Sequence, residues 1–471
     1  MSNSAKIVDS VASMEPYSLP LPTQDLGLFT DYYELTMAQV LFQQQMFAEA
    51  TFSLFIRQYP PNRGFLVSAG LEDVLEYLEA FHFSQTGLDY LRSTGNFGDD
   101  FLQYLKNDVG PFAGSVRAIP EGRLFFVNEP VLEITAPIIQ AQLVETFVIN
   151  QINFQSLLTT KAARCVAAAR DRVLADFASR RTHGTDAALK MARCGYIAGF
   201  QSTSNVLAAQ RYGIPPSGTM AHSFISSFPS EIEAFRAYAG SFPDRTVLLL
   251  DTYDTIQGAW HAAEVGRELE DSGHRLAGVR LDSGDFDSLS RQVRQILDDA
   301  RLGYVNIIAS GGLDEYQIQD LLRAGAPIDH FGVGTRVGVS DDAPWSDMAY
   351  KLVRYDQMPV MKLSTDKASL PGAKQVFRLQ TPQGRFDRDI LACADENLPG
   401  GEALLEPVMQ DGRRLGSRPH LDDIRTRLGQ DLARLDGHYQ RLYNPPRYPV
   451  TLSAQLERLA AQVQERMPDA P

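Results

Sequence analysis

Cysteine is scarce in this chain: its three copies, Cys165, Cys194 and Cys393, lie far apart, with no Cys-x-x-Cys pair and no clustered histidine. That spacing argues against a disulfide framework or a zinc knuckle and fits a reducing cytoplasm. Positive charge is the second shortage. Forty-four lysines and arginines stand against 58 aspartates and glutamates, a net charge of −14, with a pI near 5.1. Such a balance disfavours a nucleic acid or an anionic membrane as partner, so an anionic substrate would need a local cluster of arginines to overcome the global field. Long apolar runs are missing too: no stretch of about 18 apolar residues occurs. The first thirty residues, with Asp9, Glu15 and Asp25 among prolines, lack the basic start and apolar centre of a signal peptide. A soluble, cytoplasmic protein is expected. What remains is ordinary globular material, 44% hydrophobic and 22% charged over 471 residues, enough for two domains or for a barrel with an attached domain. There is no low-complexity tract and no solenoid period.

The middle of the chain repeats one pattern, in which a short apolar run reaches a polar tip and an amphipathic stretch follows. Thr246–Leu250 ends in Asp251, Leu276–Arg280 leads to Leu281 and Asp282, Val305–Ala309 ends in Ser310-Gly311-Gly312, and Ile328–Val333 ends in Gly334-Thr335. Between them, Leu289, Val293, Ile296 and Leu297, or Ile318, Leu321 and Leu322, recur at helical spacing. Strands alternating with helices predict a parallel sheet. Because each run ends in residues suited to binding, the pattern predicts an irregular β/α barrel with its site at the C-terminal strand ends, though a doubly wound sheet shares the same rhythm. Residues 1–150 read differently, as an α+β portion: Thr51–Arg57, Leu124–Val127 and Val131–Thr135 are β-rich, Asn128-Glu129-Pro130 forms a turn, and Leu71–Phe83 is helical. A long amphipathic helix from Glu145 to about Arg172 leads into the barrel, assigned to 151–362. In 363–471 the rhythm stops, with strands at Gln375–Gln380 and Arg413–Leu415 and helices at Leu421–Tyr443 and Leu452–Met467. This last segment is expected to complete the N-terminal α+β domain.

The strand ends carry the chemistry. DFASRR, Asp176–Arg181, places Arg180 and Arg181 after an apolar run, and Arg280 ends another. Guanidinium groups are planar forks that match a carboxylate or phosphate bidentately; surface ion pairing is the plainer reading of any one of them. GVRLDSGD, Gly278–Asp285, sets Asp282 and Asp285 in one turn, where a carboxylate can hold ribose hydroxyls or Mg²⁺ or simply cap the next helix. The glycines of Ser310-Gly311-Gly312 and Gly332-Val333-Gly334-Thr335 let backbone N–H groups approach a phosphate, although strand ends also need glycine for turns. His222 lies in SGTMAHSF, Ser217–Phe224, where an imidazole among Gly218, Thr219 and Ser223 is able to form a phosphoramidate. Asp251 or Glu231 could orient its ring.

The order and wording of DFASRR, SGTMAHSF, GVRLDSGD and LFTDYYELTMAQ (Leu28–Gln39) resemble the nicotinate phosphoribosyltransferase family, over about residues 26 to 353. The resemblance implies an enzyme that joins nicotinic acid to 5-phosphoribosyl 1-pyrophosphate, with Mg²⁺ and with ATP hydrolysis coupled through phosphorylation of His222. It makes Asp282 the ribose-binding acid, sets Phe177 against the pyridine ring and Ser223 beside it, and puts a phosphate or diphosphate at Ser310, Gly311, Gly312, Gly334 and Thr335. It also implies a homodimer in which Asp31 and Tyr33 reach the partner's site, Tyr33 stacking on the pyridine face opposite Phe177. Nicotinamide or quinolinate as substrate, or an idle barrel used as a scaffold, are the rival readings. One departure is Ala178, where many relatives have glycine; its methyl is expected to crowd the site slightly.

Overall fold

Short β-branched and leucine-rich runs, each closed by Asp, Ser or Gly, become the strands of a parallel sheet. The computed structural model describes residues 21–362 and 369–466; Asp9, Glu15 and Met467 lie outside them. In one compact unit, residues 158–344, six strands are β1 (Val173–Asp176), β2 (Ser202–Thr203), β3 (Val247–Leu249), β4 (Gly278–Leu281), β5 (Asn306–Ser310) and β6 (His330–Val333). Their order is β2-β1-β6-β5-β4-β3, every neighbouring pair parallel. Among the described residues β3 is an edge, and beyond β2 there is only an isolated parallel bridge from Thr203 to Pro216, so the irregular barrel is an open half-barrel.

The connecting helices are stopped and started by the same polar tips. Thr255–Asp271 is capped by Asp254, Phe286–Asp299 by Asp285, and Glu315–Ala324 by Asp314, whose carboxylate accepts from the backbone N–H of Tyr316 and Gln317. An aspartate at that position satisfies N–H groups that the first helical turn leaves unpaired. Phe286–Asp299 buries Ser290, Val293, Ile296 and Leu297, one face at helical spacing. The loops after β3, β4 and β5 are therefore pinned at both sides, which is what fixes side chains at those strand ends.

The other unit joins the described residues up to Leu157 to those from Trp345 onward. Its main sheet is antiparallel and has Glu49–Ile56 between Met348–Tyr355 and Pro130–Pro137; Ser115–Ala118 follows and pairs with Glu406–Gln410. The unit boundaries differ from the sequence-based 150/151 and 362/363 for physical reasons. The helix Glu145–Ala169 runs unbroken through Leu157, and Met348–Tyr355 hydrogen-bonds to Glu49–Ile56. Leu124–Phe125 and Pro130–Pro137 are not a hairpin: the first pairs with Leu66–Val67 in a separate sheet. Asn128 takes φ +70°, and the fully buried Glu129 accepts from the Phe126 N–H, so the turn diverts the chain. Three helices end earlier than their apolar spacing suggests, as Leu71–Ala80, Leu421–Arg434 and Ala454–Glu465.

Candidate active site

Arg280 stands in β4 with its side chain pointing among the strand ends. It is 9% exposed; Nη1 donates to Thr219 Oγ1 at 2.6 Å, Nη2 lies 4.0 Å from Asp282 Oδ1, and the buried Nε has no hydrogen-bond partner. Burial holds its pKa below the usual arginine value; Asp282 and Asp251 oppose that and the nearby charge of Arg180 adds to it. A buried guanidinium with an unused donor and a second cation beside it is suited to receive an anion, because leaving that donor unmade costs about 1–3 kcal/mol.

The carboxylates around it are held by hydroxyls. Asp282 Oδ1 accepts from Ser310 Oγ in a short contact, and Ser310 is 2% exposed. Asp251 Oδ2 accepts from Ser283 Oγ at 2.5 Å and from the Asp282 N–H at 3.3 Å, while its buried Oδ1 has no partner. His222 opens the helix His222–Ser226 with its side chain 45% exposed; Nδ1 lies 3.1 Å from Thr252 Oγ1 and Nε2 3.8 Å from Asp282 Oδ2. The ring is thus oriented by Thr252. Of the two orienters expected from sequence, Asp251 is engaged by Ser283 and Glu231 accepts from His261 at 2.8 Å.

Phe177 follows β1. Its N–H donates to Val333 at 2.8 Å, and its ring lies over Gly332, where a Cβ would come within 2.5 Å of Cε2. Gly334 has the Phe177 carbonyl 2.7 Å from the same imagined position, so both glycines serve this close approach. Gly311, at φ +101°, closes on the Asp282 carbonyl, 2.1 Å from an added Cβ, whereas Gly312, at φ +70°, has nothing within 4 Å of one. A cavity of about 390 Å³ opens beside Gly311 and Gly312, bordered by Phe286, Leu313 and Gln317. Arg180 and Arg181 are exposed in the turn after β1, Ser223 in the helix His222–Ser226 and Thr335 at the start of the helix Thr335–Gly338. Beneath the arginines, Asp176 is buried and accepts from Thr203 Oγ1 at 2.7 Å and the Ala178 N–H at 2.9 Å; burial raises its pKa to about 6. Ala178 is fully buried and its methyl faces Gly338, so it fills space beneath the loop instead of crowding the site.

Asp31 and Tyr33 belong to the other unit. Asp31 precedes the helix Tyr32–Gln43 and its carboxylate accepts from Thr146 Oγ1 at 2.8 Å; Tyr33 is 49% exposed, and burial of its hydroxyl together with Glu34 and Glu145 raises its pKa. Sequence reasoning missed Thr252 and the anchoring role of Thr219. The only signal for Thr252 was its place directly after Asp251 at a strand end. Among the described residues no cluster of three or more His, Cys, Asp or Glu could hold a metal by itself, and no helix is long and apolar enough to cross a membrane. Cys165, Cys194 and Cys393 are buried thiols.

Residues 28–153, 173–354 and 400–460 match the family profiles of the nicotinate phosphoribosyltransferase N-terminal domain, family and C-terminal domain. The chain is 51% identical over 431 residues to a nicotinate phosphoribosyltransferase of Mycobacterium tuberculosis H37Rv, covering 91% of each chain. It is 36% identical to that of Bacillus subtilis, covering 91% of this chain and 93% of the relative. The crystal structure of human nicotinic acid phosphoribosyltransferase superposes with a TM-score of 0.84 at 29% identity, over 92% of this chain and 99% of that one. With profiles matched along most of its length and half its residues shared with one such enzyme, the chain belongs to the nicotinate phosphoribosyltransferase family.

Proposed function

We propose that the protein joins nicotinic acid to 5-phosphoribosyl 1-pyrophosphate, giving nicotinate mononucleotide and pyrophosphate, with ATP hydrolysis coupled through His222. The observation that carries the reading is Arg280, a buried guanidinium with an unused Nε beside Asp282 and His222. In this reading Arg280 takes the nicotinate carboxylate, Phe177 and Ser223 border the pyridine, and Asp282 faces the ribose. The loops Ser310-Gly311-Gly312 and Gly334-Thr335, with Arg180 and Arg181, receive the phosphates. The pyridine nitrogen uses its lone pair to form the bond to C1 as the C1–O bond to diphosphate breaks and its electron pair leaves with pyrophosphate. No base is required. The protein's work is positioning and stabilising an oxocarbenium-like charge, to which the Asp282 carboxylate contributes.

Mg²⁺ fits as an ion shared with the substrate: Asp251, with its buried unpartnered Oδ1, and Asp282 can supply one carboxylate each, the substrate phosphates the rest. Bound there, the ion would neutralise charge on the leaving diphosphate.

The contact of His222 Nδ1 with Thr252 supports a phosphoryl acceptor. If Nδ1–H donates to Thr252 Oγ1, the lone pair lies on Nε2 of the half-exposed ring, which can attack the γ-phosphorus of ATP with departure of ADP. Incubation with labelled ATP and Mg²⁺ should leave an acid-labile, base-stable label on wild-type protein and none on His222→Asn. Equal labelling and equal ATP stimulation in the variant would refute the phosphohistidine.

A homodimer with shared sites completes the reading. Tyr33, Met37 and Val40 are exposed at i, i+4 and i+7 of one helix, an apolar stripe suited to a second copy.

A further inference from the structure

The two glycine-bearing loops both lead into paired carboxylates. After β5 the chain runs Ser310-Gly311-Gly312-Leu313 into Asp314 and Glu315; after β6 it runs Gly334-Thr335 through the short helix Thr335–Gly338 into Asp341 and Asp342. Four negative charges close behind loops that receive an anion are unfavourable unless something gathers them. Lys161 gathers three of them, Glu315, Asp341 and Asp342, from a third element, the helix Glu145–Ala169. Its side chain is 0% exposed, and Nζ lies 2.7 Å from Glu315 Oε2, 3.1 Å from Asp341 Oδ1 and 2.8 Å from Asp342 Oδ1. Burial pulls its pKa down, but Glu315 and Asp342 outweigh it and leave the ammonium charged. Arg164, one turn along the same helix, donates from Nε to Glu315 Oε1 at 2.9 Å and from Nη2 to Tyr316 Oη at 2.9 Å.

An ion pair of this kind contributes little net stability, because dehydrating the charges offsets their attraction; its geometric consequence is larger. One fully buried ammonium holds the start of the helix after the first loop and the end of the second loop at a fixed separation. Asp314, which also caps the helix Glu315–Ala324, accepts from Arg336 Nη1 of the short helix Thr335–Gly338 at 2.7 Å and reinforces the same spacing.

We propose that Lys161 is a positioning residue for the reaction: it sets the distance between the two loops and thereby the affinity for the ribosyl diphosphate, without touching any substrate. This rests on the transferase reading above. With no exposed surface, Lys161 can act only through the loops, so its loss should move the phosphate-bearing substrate and spare the pyridine.

The test uses the full-length enzyme with Lys161→Met and Asp342→Asn, each checked for fold by circular dichroism and thermal melting. Lys161→Met should raise KM for 5-phosphoribosyl 1-pyrophosphate and Kd for inorganic pyrophosphate about tenfold, with KM for nicotinate within about twofold of wild type. Asp342→Asn gives an opposite sign for the two explanations. Removing a negative charge near an anion site would by Coulomb's law tighten anion binding, whereas loss of the tether should weaken it, by about threefold. Unchanged or tighter pyrophosphate binding in Asp342→Asn overturns the proposal, as does an equal rise of both KM values in Lys161→Met. If Lys161→Met does not fold, Asp342→Asn decides alone. A wild-type enzyme that makes no nucleotide from nicotinate overturns the parent reading instead, and with it the ligand assigned to the loops.

Discussion

In the proposed reading Arg280 decides substrate class, since its fork and not merely its charge is what a carboxylate matches. Arg280→Lys keeps the charge and loses the planar fork of paired donors, so kcat/KM for nicotinate should fall by the equivalent of roughly 1.5–3 kcal/mol while the melting temperature moves little. Unchanged kcat/KM in a folded variant would sink the assignment. Asp176 gives a pH signature. Its folded pKa, about 6, lies above the ordinary 3.8 because of burial, so the native state binds the proton more tightly than the unfolded chain. Stability contributed by the protonated form is full below about pH 4, is lost as pH rises to 6, and the penalty is constant above, about 3 kcal/mol in all. Asp176→Asn should flatten that segment of the stability–pH curve; a curve still sloping like wild type between pH 4 and 6 would contradict it. Arg180, Arg280, Asp282 and His222 were legible because each polar residue interrupts an apolar run or a glycine-rich one. Thr252 and Lys161 were not: a threonine beside an aspartate and a lysine on an amphipathic helix look like solvent-facing residues, and only tertiary contact makes one an imidazole anchor and the other a fully buried ammonium.

At the scale of elements, the strand-end loops separate packing from ligand approach. Gly311 has the Asp282 carbonyl where a methyl would go, whereas Gly312 opens on free space at a comparable positive φ. Gly311→Ala should therefore lower the melting temperature clearly more than Gly312→Ala, the latter paying chiefly about 1–2 kcal/mol for the left-handed backbone. Gly312→Ala should chiefly weaken binding of the ribosyl diphosphate. Equal melting temperatures would show that the close approach at Gly311 is not a constraint. The parallel strands were legible for the same reason that these loops work, namely apolar runs cut off by Asp, Ser and Gly. Pairings across long sequence distance were not. Nothing local announces that Glu406–Gln410 lies beside Ser115–Ala118, or that Leu124–Phe125 leaves its neighbour to pair with Leu66–Val67.

At the scale of the whole molecule, the reading places Tyr33 in a second copy's site. Mixing inactive Tyr33→Ala with inactive Arg180→Ala should restore partial activity, because a fraction of heterodimers would contain one intact site. No recovery after demonstrated subunit exchange would remove the shared site and leave each chain to work alone. In the proposed function, a buried arginine selects a single pyridine carboxylate and a phosphorylatable histidine couples ATP to its transfer. Nucleotide formation from nicotinate, nicotinamide and quinolinate, measured in parallel with 5-phosphoribosyl 1-pyrophosphate with and without ATP, tests it most directly. Nicotinate mononucleotide is expected as the main product, stimulated by ATP in wild type and not in His222→Asn. Preference for nicotinamide or quinolinate, or no product from any of the three, would contradict it.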